Sequence, residues 1–435
     1  MKTVIVGAGP AGIFAALQLA GTHEVVLIDK GKKITDRDSK LDMLEGFGGS
    51  GAFSDGKLTI TDDVGGWLTD IDDLIAQVDQ MYVNFGAPSK VYNDDAGDLV
   101  DDAAKHGLEL INYPVRHIGT DNLFGVIDRM YDTLNKFGVD IMMETRLTNI
   151  ITDGDGIIGI ETTNGGMFCD NLIVAPGRAN SSWLKKELFG RVSTTTNPVD
   201  IGVRIELPAE VMEPITSRLY EIKYKYVTEM FKDHVRTFCV CPHGEVTMEK
   251  SGDIYTVNGH SNANKKTNRT NLAILVSQQF TEPFNDPVSY VRSISRLSNL
   301  IGNSVTVQSA NDMALGRRST DNRIGWIPKT LKSANPGDLG LILPFRIMVD
   351  ILEMMSVIDK VTPGFVGPET LMYGVETKMY SNRFKVSRNM ETDVNGLYIC
   401  GDGGGMTRGL MQSSVSGLLA ANHILEKINE KVSVL

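Results

Sequence analysis

The sequence predicts an α/β chain whose parallel sheet is assembled from both ends, with an α+β region inserted between them. Three observations predict it. A short apolar strand runs into Gly7-Ala8-Gly9-Pro10-Ala11-Gly12 and on into a helix, and a second apolar strand ends at Asp29. Near the far end, Gly396-Leu397-Tyr398-Ile399-Cys400-Gly401-Asp402 repeats that style before another long helix. The middle changes character, mixing short strands with helices. At 435 residues the chain suits two or three domains, because single cores stop growing at smaller sizes. The expected division is a discontinuous domain of 1–197 and 386–435 around an insert of 198–385.

Thr3 to Val6 read as a buried strand, Ala11 to Ala20 as a helix and Glu24 to Ile28 as the next strand. Together they form a β-α-β unit of about thirty residues, the mark of a parallel sheet. Trp67, Leu68, Ile71, Leu74, Ile75, Val78, Met81 and Tyr82 recur at helical spacing. A helix over Leu123 to Phe137 is closed by Gly138 in the left-handed region, and Val139 to Glu144 form a strand. Ile157 to Glu161 and Met167 to Asp170 flank Thr-Asn-Gly-Gly, a hairpin signal. Leu172 to Ala175 return as a strand before Pro176-Gly177. In the middle, Ile201 to Glu206, Val246 to Met248 and Leu272 to Val276 read as strands, Val288 to Ile301 and Arg346 to Ile358 as helices. Leu397 to Cys400 close the series, followed by a helix to about Asn429.

Apolar residues at 42% and charged residues at 22% are the balance of a globular protein. A net charge of −11 argues against a general nucleic-acid binder. The basic stretch Lys265-Lys266-Thr267-Asn268-Arg269 reads as a solvated loop. No two of the four cysteines have Cys-x-x-Cys spacing, which fits a reducing cytoplasm. Cys239 and Cys241 share one side of a strand and read as buried small hydrophobes. Val4 to Ala20 is too broken by glycine for a signal peptide, and no other stretch approaches the ~20 apolar residues of a membrane span. A soluble cytoplasmic protein without nucleic-acid or membrane partners is expected.

A lone G-x-G-x-x-G is weak evidence. Between a strand and a helix, with an acid 17 residues after Gly12, it is informative. Gly7 permits the tight turn, Gly9 lets a pyrophosphate approach the backbone, and Gly12 lets helix and strand pack closely. The helix N-terminus offers unpaired N–H groups to the phosphates. Asp29 is placed to accept from a ribose diol and disfavours a 2′-phosphate. A second glycine loop, Gly48-Gly49-Ser50-Gly51-Ala52-Phe53-Ser54-Asp55-Gly56-Lys57, lets amides lie close to a flavin. Leu-Ile-Val-Ala-Pro-Gly-Arg (172–178) is similar to the Ala-Thr-Gly turn of two-dinucleotide-binding flavoproteins, with Pro176 for the threonine. Asp402 would accept from a ribityl hydroxyl, and the helix opening at Leu410-Met411-Gln412 would aim its dipole at the flavin. These segments choose FAD over NAD. The expected cofactor set is Gly7, Gly9, Pro10, Ala11, Gly12, Asp29, Lys30, Gly49, Ser50, Gly51, Ser54, Lys57, Leu147, Pro176, Gly177, Gly401, Asp402, Leu410, Met411 and Gln412.

The chain resembles the FAD-dependent dehydrogenase family, a branch of the glutathione-reductase-like flavoproteins. The resemblance runs through the second glycine loop and through 197–206, 236–246, 316–320, 369–376 and 401–414, spread over nearly the whole chain. It implies a Rossmann-like FAD-binding domain of three β/β/α layers, an inserted α+β substrate domain and redox activity. Many members carry an extra N-terminal domain, whereas this chain begins at the first strand.

Flavin supplies hydride chemistry while the protein positions the substrate. Lys57, Arg408 and Tyr373 are the candidate catalytic residues. Arg317-Arg318 and Arg408 could bind a carboxylate or phosphate bidentately. His243 and His260 are candidate proton donors, and Glu376 a candidate cavity residue beside Tyr373. No cluster has metal-ligand spacing. No second G-x-G-x-x-G is expected to follow a strand between 150 and 385, and no cysteine pair has redox dithiol spacing. Electrons would therefore come from NAD(P)H docking transiently or from an electron-donor protein, or pass from substrate to dioxygen. The expected activity is hydride transfer to or from a small organic substrate held between the two domains, with reduction of a C=C bond or its reverse as the reaction. A flavin monooxygenase and a low-turnover, redox-responsive binding protein are the alternatives. The sequence sets no oligomeric state.

Overall fold

A computed structural model of the chain describes every residue except 39–41, 93–95, 155, 262–265 and 434–435. Lys265, part of the basic stretch, lies outside the described residues. The chain divides into two compact units, one of 1–91, 114–197 and 380–435, the other of 92–113 and 198–379.

The first unit is built on five parallel strands in the order Leu397–Ile399, Asn171–Val174, Lys2–Val6, Glu24–Ile28, Asp140–Met142. Two chain ends therefore share one sheet. Side chains alternate across it, as the two-residue strand period requires. Ile5, Leu27, Ile173 and Tyr398 pack with helices Pro10–Leu19, Thr120–Lys136 and Leu410–Ser433. Val4, Val26, Leu172 and Leu397 pack with the antiparallel strands Leu147–Asp153 and Gly156–Thr162, which Gly165–Phe168 extends. With both faces covered, the parallel strands are mostly apolar on both sides. The first and last helices meet so closely that a methyl group on Gly417 would lie 2.0 Å from the Ala11 carbonyl oxygen.

The second unit carries eight strands in the order Asn335–Pro336, Thr306–Ser309, Leu371–Lys378, Val199–Pro208, Arg269–Gln278, His234–Cys241, Lys223–Val227, Glu109–Ile111. All pairs are antiparallel but the first. Alternate residues of Val199–Pro208 (Val199, Ile201, Val203, Ile205, Leu207) enter a core with Ile347, Ile351, Met354 and Ile358 of helix Phe345–Val361.

Five expectations need correction. Residues 92–113 belong to the second unit, because Leu110 pairs with Tyr224 and adds an edge strand to its sheet. The boundary falls at 380 rather than 386, because Arg383–Phe384 pairs with Thr194–Thr195 in the first unit. The helix after Trp67 starts only at Asp72; Trp67, Leu68 and Ile71 precede it. Cys239 sits at φ 49 in a bulge and is half-buried, its sulfur 3.8 Å from that of buried Cys241. Arg269 is buried and bonded to Glu369, so it closes no solvated loop. Among the described residues no helix is long and apolar enough to cross a membrane.

Candidate cofactor site

The opening glycine turn has the geometry its sequence demands. Gly7 sits at φ 101, and a methyl group there would lie 2.1 Å from the Ala175 carbonyl oxygen. Only glycine fits. Helix Pro10–Leu19 begins at Gly9 with proline in its first turn, no side-chain cap and no acid. Its first N–H groups therefore lack side-chain acceptors, as an anion site requires. Above Gly9 stands the second glycine loop: a methyl on Gly49 would lie 3.0 Å from the Gly9 Cα, and one on Gly51 would strike Leu410 at 2.6 Å. Pro10, Gly48 and Leu410 line one small crevice.

Asp29 accepts N–H bonds from Ala8 (2.9 Å), Gly31 (2.8 Å) and Gly46 (2.8 Å). It thus ties the first turn to the second loop and keeps acceptor capacity for a hydroxyl. Lys30 pairs with Glu45 at 2.5 Å.

At the other end of the chain, Gly401 sits at φ 72 with space for a methyl only 3.2 Å from the Ala11 Cβ. Gly403 leaves no room for a methyl beside Pro176 and Gly177. Asp402 accepts from Thr407 Oγ1 (2.9 Å), with Gly409 N and Ser413 Oγ at 3.4 Å and Arg178 at 3.9 Å. Burial pushes its carboxyl up, and those neighbours pull part of the way back. The opening turn, second loop, Pro176-Gly177 and Gly401-Asp402 are therefore one neighbourhood. These residues fit an extended dinucleotide: uncapped amides for a pyrophosphate, partly buried acids for hydroxyls, and glycines where a side chain would fill the cradle.

Other expected residues serve differently. Leu147 and Met411 are in apolar cores, so only their backbone is available. The Gln412 amide nitrogen reaches carbonyls of Asp62, Val64 and Leu68 and holds that loop. Ser50 is exposed, and Ser54 Oγ donates to Gly51 O at 2.8 Å. Lys57 Nζ lies 3.3 Å from Asp55 Oδ2, and its strand pairs it with His117. Burial opposes the Asp55 charge, but Lys57 and His117 hold its carboxyl below the ordinary range, while burial pushes His117 down.

In the second unit, Tyr373 is fully buried and donates to Glu206, which also accepts from Thr330. With no open face, it cannot touch a substrate. Glu376 is equally buried, paired bidentately with Arg204 at 2.6 and 2.8 Å and with Lys378 at 3.0 Å. Both are corrections: these residues build the sheet's interior. His243 Nδ1 meets Thr267 O at 3.0 Å in a turn, His260 is exposed, and Arg317 pairs with Asp312 at 2.5 Å beside exposed Arg318.

Two residues escaped sequence reasoning. Arg37 is buried and donates to Phe47 O (2.6 Å), Asp42 O (2.9 Å) and Gly49 O (2.9 Å), which fixes the second loop. Thr407 orients Asp402. Neither carries a local signal.

Residues 198–379 match a family model described as FAD-dependent protein, C-terminal domain-like. The span coincides with the long segment of the second unit. The match supports dependence on FAD. An uncharacterised protein of Clostridium beijerinckii (strain ATCC 51743 / NCIMB 8052) is 28% identical over 467 residues, spanning 98% of this chain and 81% of that one. Among solved structures, glycine oxidase from Bacillus cereus ATCC 14579 aligns with a TM-score of 0.39 and 14% identity, covering 98% of this chain and 95% of that one. L-proline dehydrogenase from P. horikoshii aligns with a TM-score of 0.39 and 11% identity, covering 98% and 93%. Superpositions that loose carry no argument about a reaction.

Proposed function

We propose that the first unit binds FAD in a Rossmann-like fold of the glutathione-reductase type, and that the chain is an oxidoreductase moving a hydride to or from a small organic substrate. The preferred reaction is reduction of a C=C bond or its reverse. The observation that carries this reading is the meeting of the chain ends, with Gly401 against Ala11 and Asp402 beside the opening turn. Bound FAD would supply the two-electron chemistry. The chain's residues do the rest. The uncapped N-terminus at Pro10 holds phosphate charge, and Asp29 and Asp402 hold hydroxyls. The N-terminus of helix Leu410–Ser433 offers its dipole to negative charge on the reduced ring. Lys57, paired with Asp55, would place its Nζ next to the second loop. NAD(P)H or a partner protein would deliver electrons.

The test is direct. Protein purified with added FAD should be yellow and hold about one FAD per chain. Anaerobic mixing with NADH, NADPH and reduced carrier proteins should bleach it with at least one of them. A colourless protein that takes up no FAD would overturn the reading.

A further inference from the structure

Arg408 stands out among the charged residues of the first unit. Its guanidinium lies 3.5 Å from the centre of the Tyr380 ring and 5.8 Å from that of Trp67. Its backbone is fixed by an N–H bond to Gly65 O at 2.5 Å. Stacking occupies a guanidinium's faces and leaves its N–H edges for planar acceptors. Yet Nη2 of Arg408 is buried and has no hydrogen-bond partner among the described residues. A buried N–H without an acceptor is costly, so a site this rigid is built for an acceptor that arrives. Arg383, 5.2 Å from the Trp67 ring, adds a second positive charge. Arg383 and Met406 also line a cleft next to this cluster. Thr407, the residue before Arg408, donates to Asp402, so the guanidinium belongs to the candidate cofactor neighbourhood.

We propose that Arg408, clamped on Tyr380 and near Trp67, is the anchor for the carboxylate of a small planar acid, the substrate class of this enzyme. The proposal rests on the FAD reading for its meaning as a substrate site, but the binding itself does not. Carboxylate is favoured because one flat fork stacked on an aromatic ring matches a planar two-oxygen anion.

The experiment titrates the purified protein with crotonate, with crotonamide as the neutral isostere and with inorganic phosphate. Two signals are read: Trp67 emission, assigned by Trp67→Phe, and the absorbance of bound flavin. Crotonate should saturate both signals, with crotonamide and phosphate at least tenfold weaker. Arg408→Lys should weaken crotonate at least tenfold despite keeping the charge, and Arg408→Gln should abolish it, with melting temperatures checking that both variants fold. Equal binding of crotonamide, tighter binding of phosphate, or unchanged crotonate binding by folded Arg408→Gln would overturn the proposal. A yellow protein blind to crotonate removes the anchor alone. A colourless protein whose Trp67 still responds removes the FAD reading and keeps the anchor.

Discussion

The two units handle polar groups in opposite ways. The first leaves them at turns with bonds unfinished: the uncapped helix start at Gly9, partly buried Asp29 and Asp402, the unpartnered Nη2 of Arg408. The second hides several inside its sheet and bonds them to one another, as in Arg204–Glu376 and Glu206–Tyr373. Incompletely bonded groups held rigid by glycine turns mark a place for a ligand. Charges that satisfy each other deep in a core mark architecture, and they weaken any case for catalysis there. That contrast moves Tyr373 and Glu376 from candidate chemistry to framework.

Breaking the closed network should cost most. Glu376→Gln leaves the Arg204 guanidinium buried without its counter-charge, and denaturant titration should show a loss of about 3–5 kcal/mol. The double variant Arg204→Met/Glu376→Leu should recover most of it, since a well-packed apolar pair often equals a buried ion pair. An undiminished stability in Glu376→Gln would erase the contrast.

The open groups should respond through ligand affinity instead. A methyl on Gly9 meets nothing nearer than the Gly49 Cα at 3.8 Å. Gly9→Ala should keep the far-UV spectrum of the wild type and lose about a hundredfold in FAD affinity, because the pyrophosphate can no longer approach. Gly7→Ala, by contrast, should fail to fold. Asp402→Asn should weaken FAD by about tenfold, read from the fluorescence of released flavin.

The smallest effect follows pH. Asp350 is buried in the second unit, and burial, with Asp233 beside it, pushes its carboxyl up to about 6. The folded state then holds its proton more tightly than the unfolded chain, so this stability is complete below about pH 4 and is lost as pH rises through 6. Melting should fall by about 2–4 °C between pH 5 and pH 7, and Asp350→Asn should flatten the slope.

Much of this was legible from residue order alone. Glu24–Ile28 is a strand at its expected bounds, Gly138 closes the helix ending at Lys136 at φ 77, and the hairpin around Thr-Asn-Gly-Gly forms. These are local patterns, set by neighbours a few residues away. What was hidden depends on distant partners. Nothing near Leu110 announces that it pairs with Tyr224. Arg269 looks like one more charge in a basic run until the strand beginning there carries it to Glu369. The ring against Arg408 comes from residue 380 and the loop before it from residue 65, so the clamp cannot be read around position 408 itself.

The strand Leu397–Ile399 sits at the edge of the parallel sheet and is synthesised long after its partner Asn171–Val174. Until it emerges, residues 171–174 have an open flank and Asp402 does not exist. A product stopped before residue 397 can therefore build the early turn but not the site proposed here, and it would expose a sticky apolar edge to quality control.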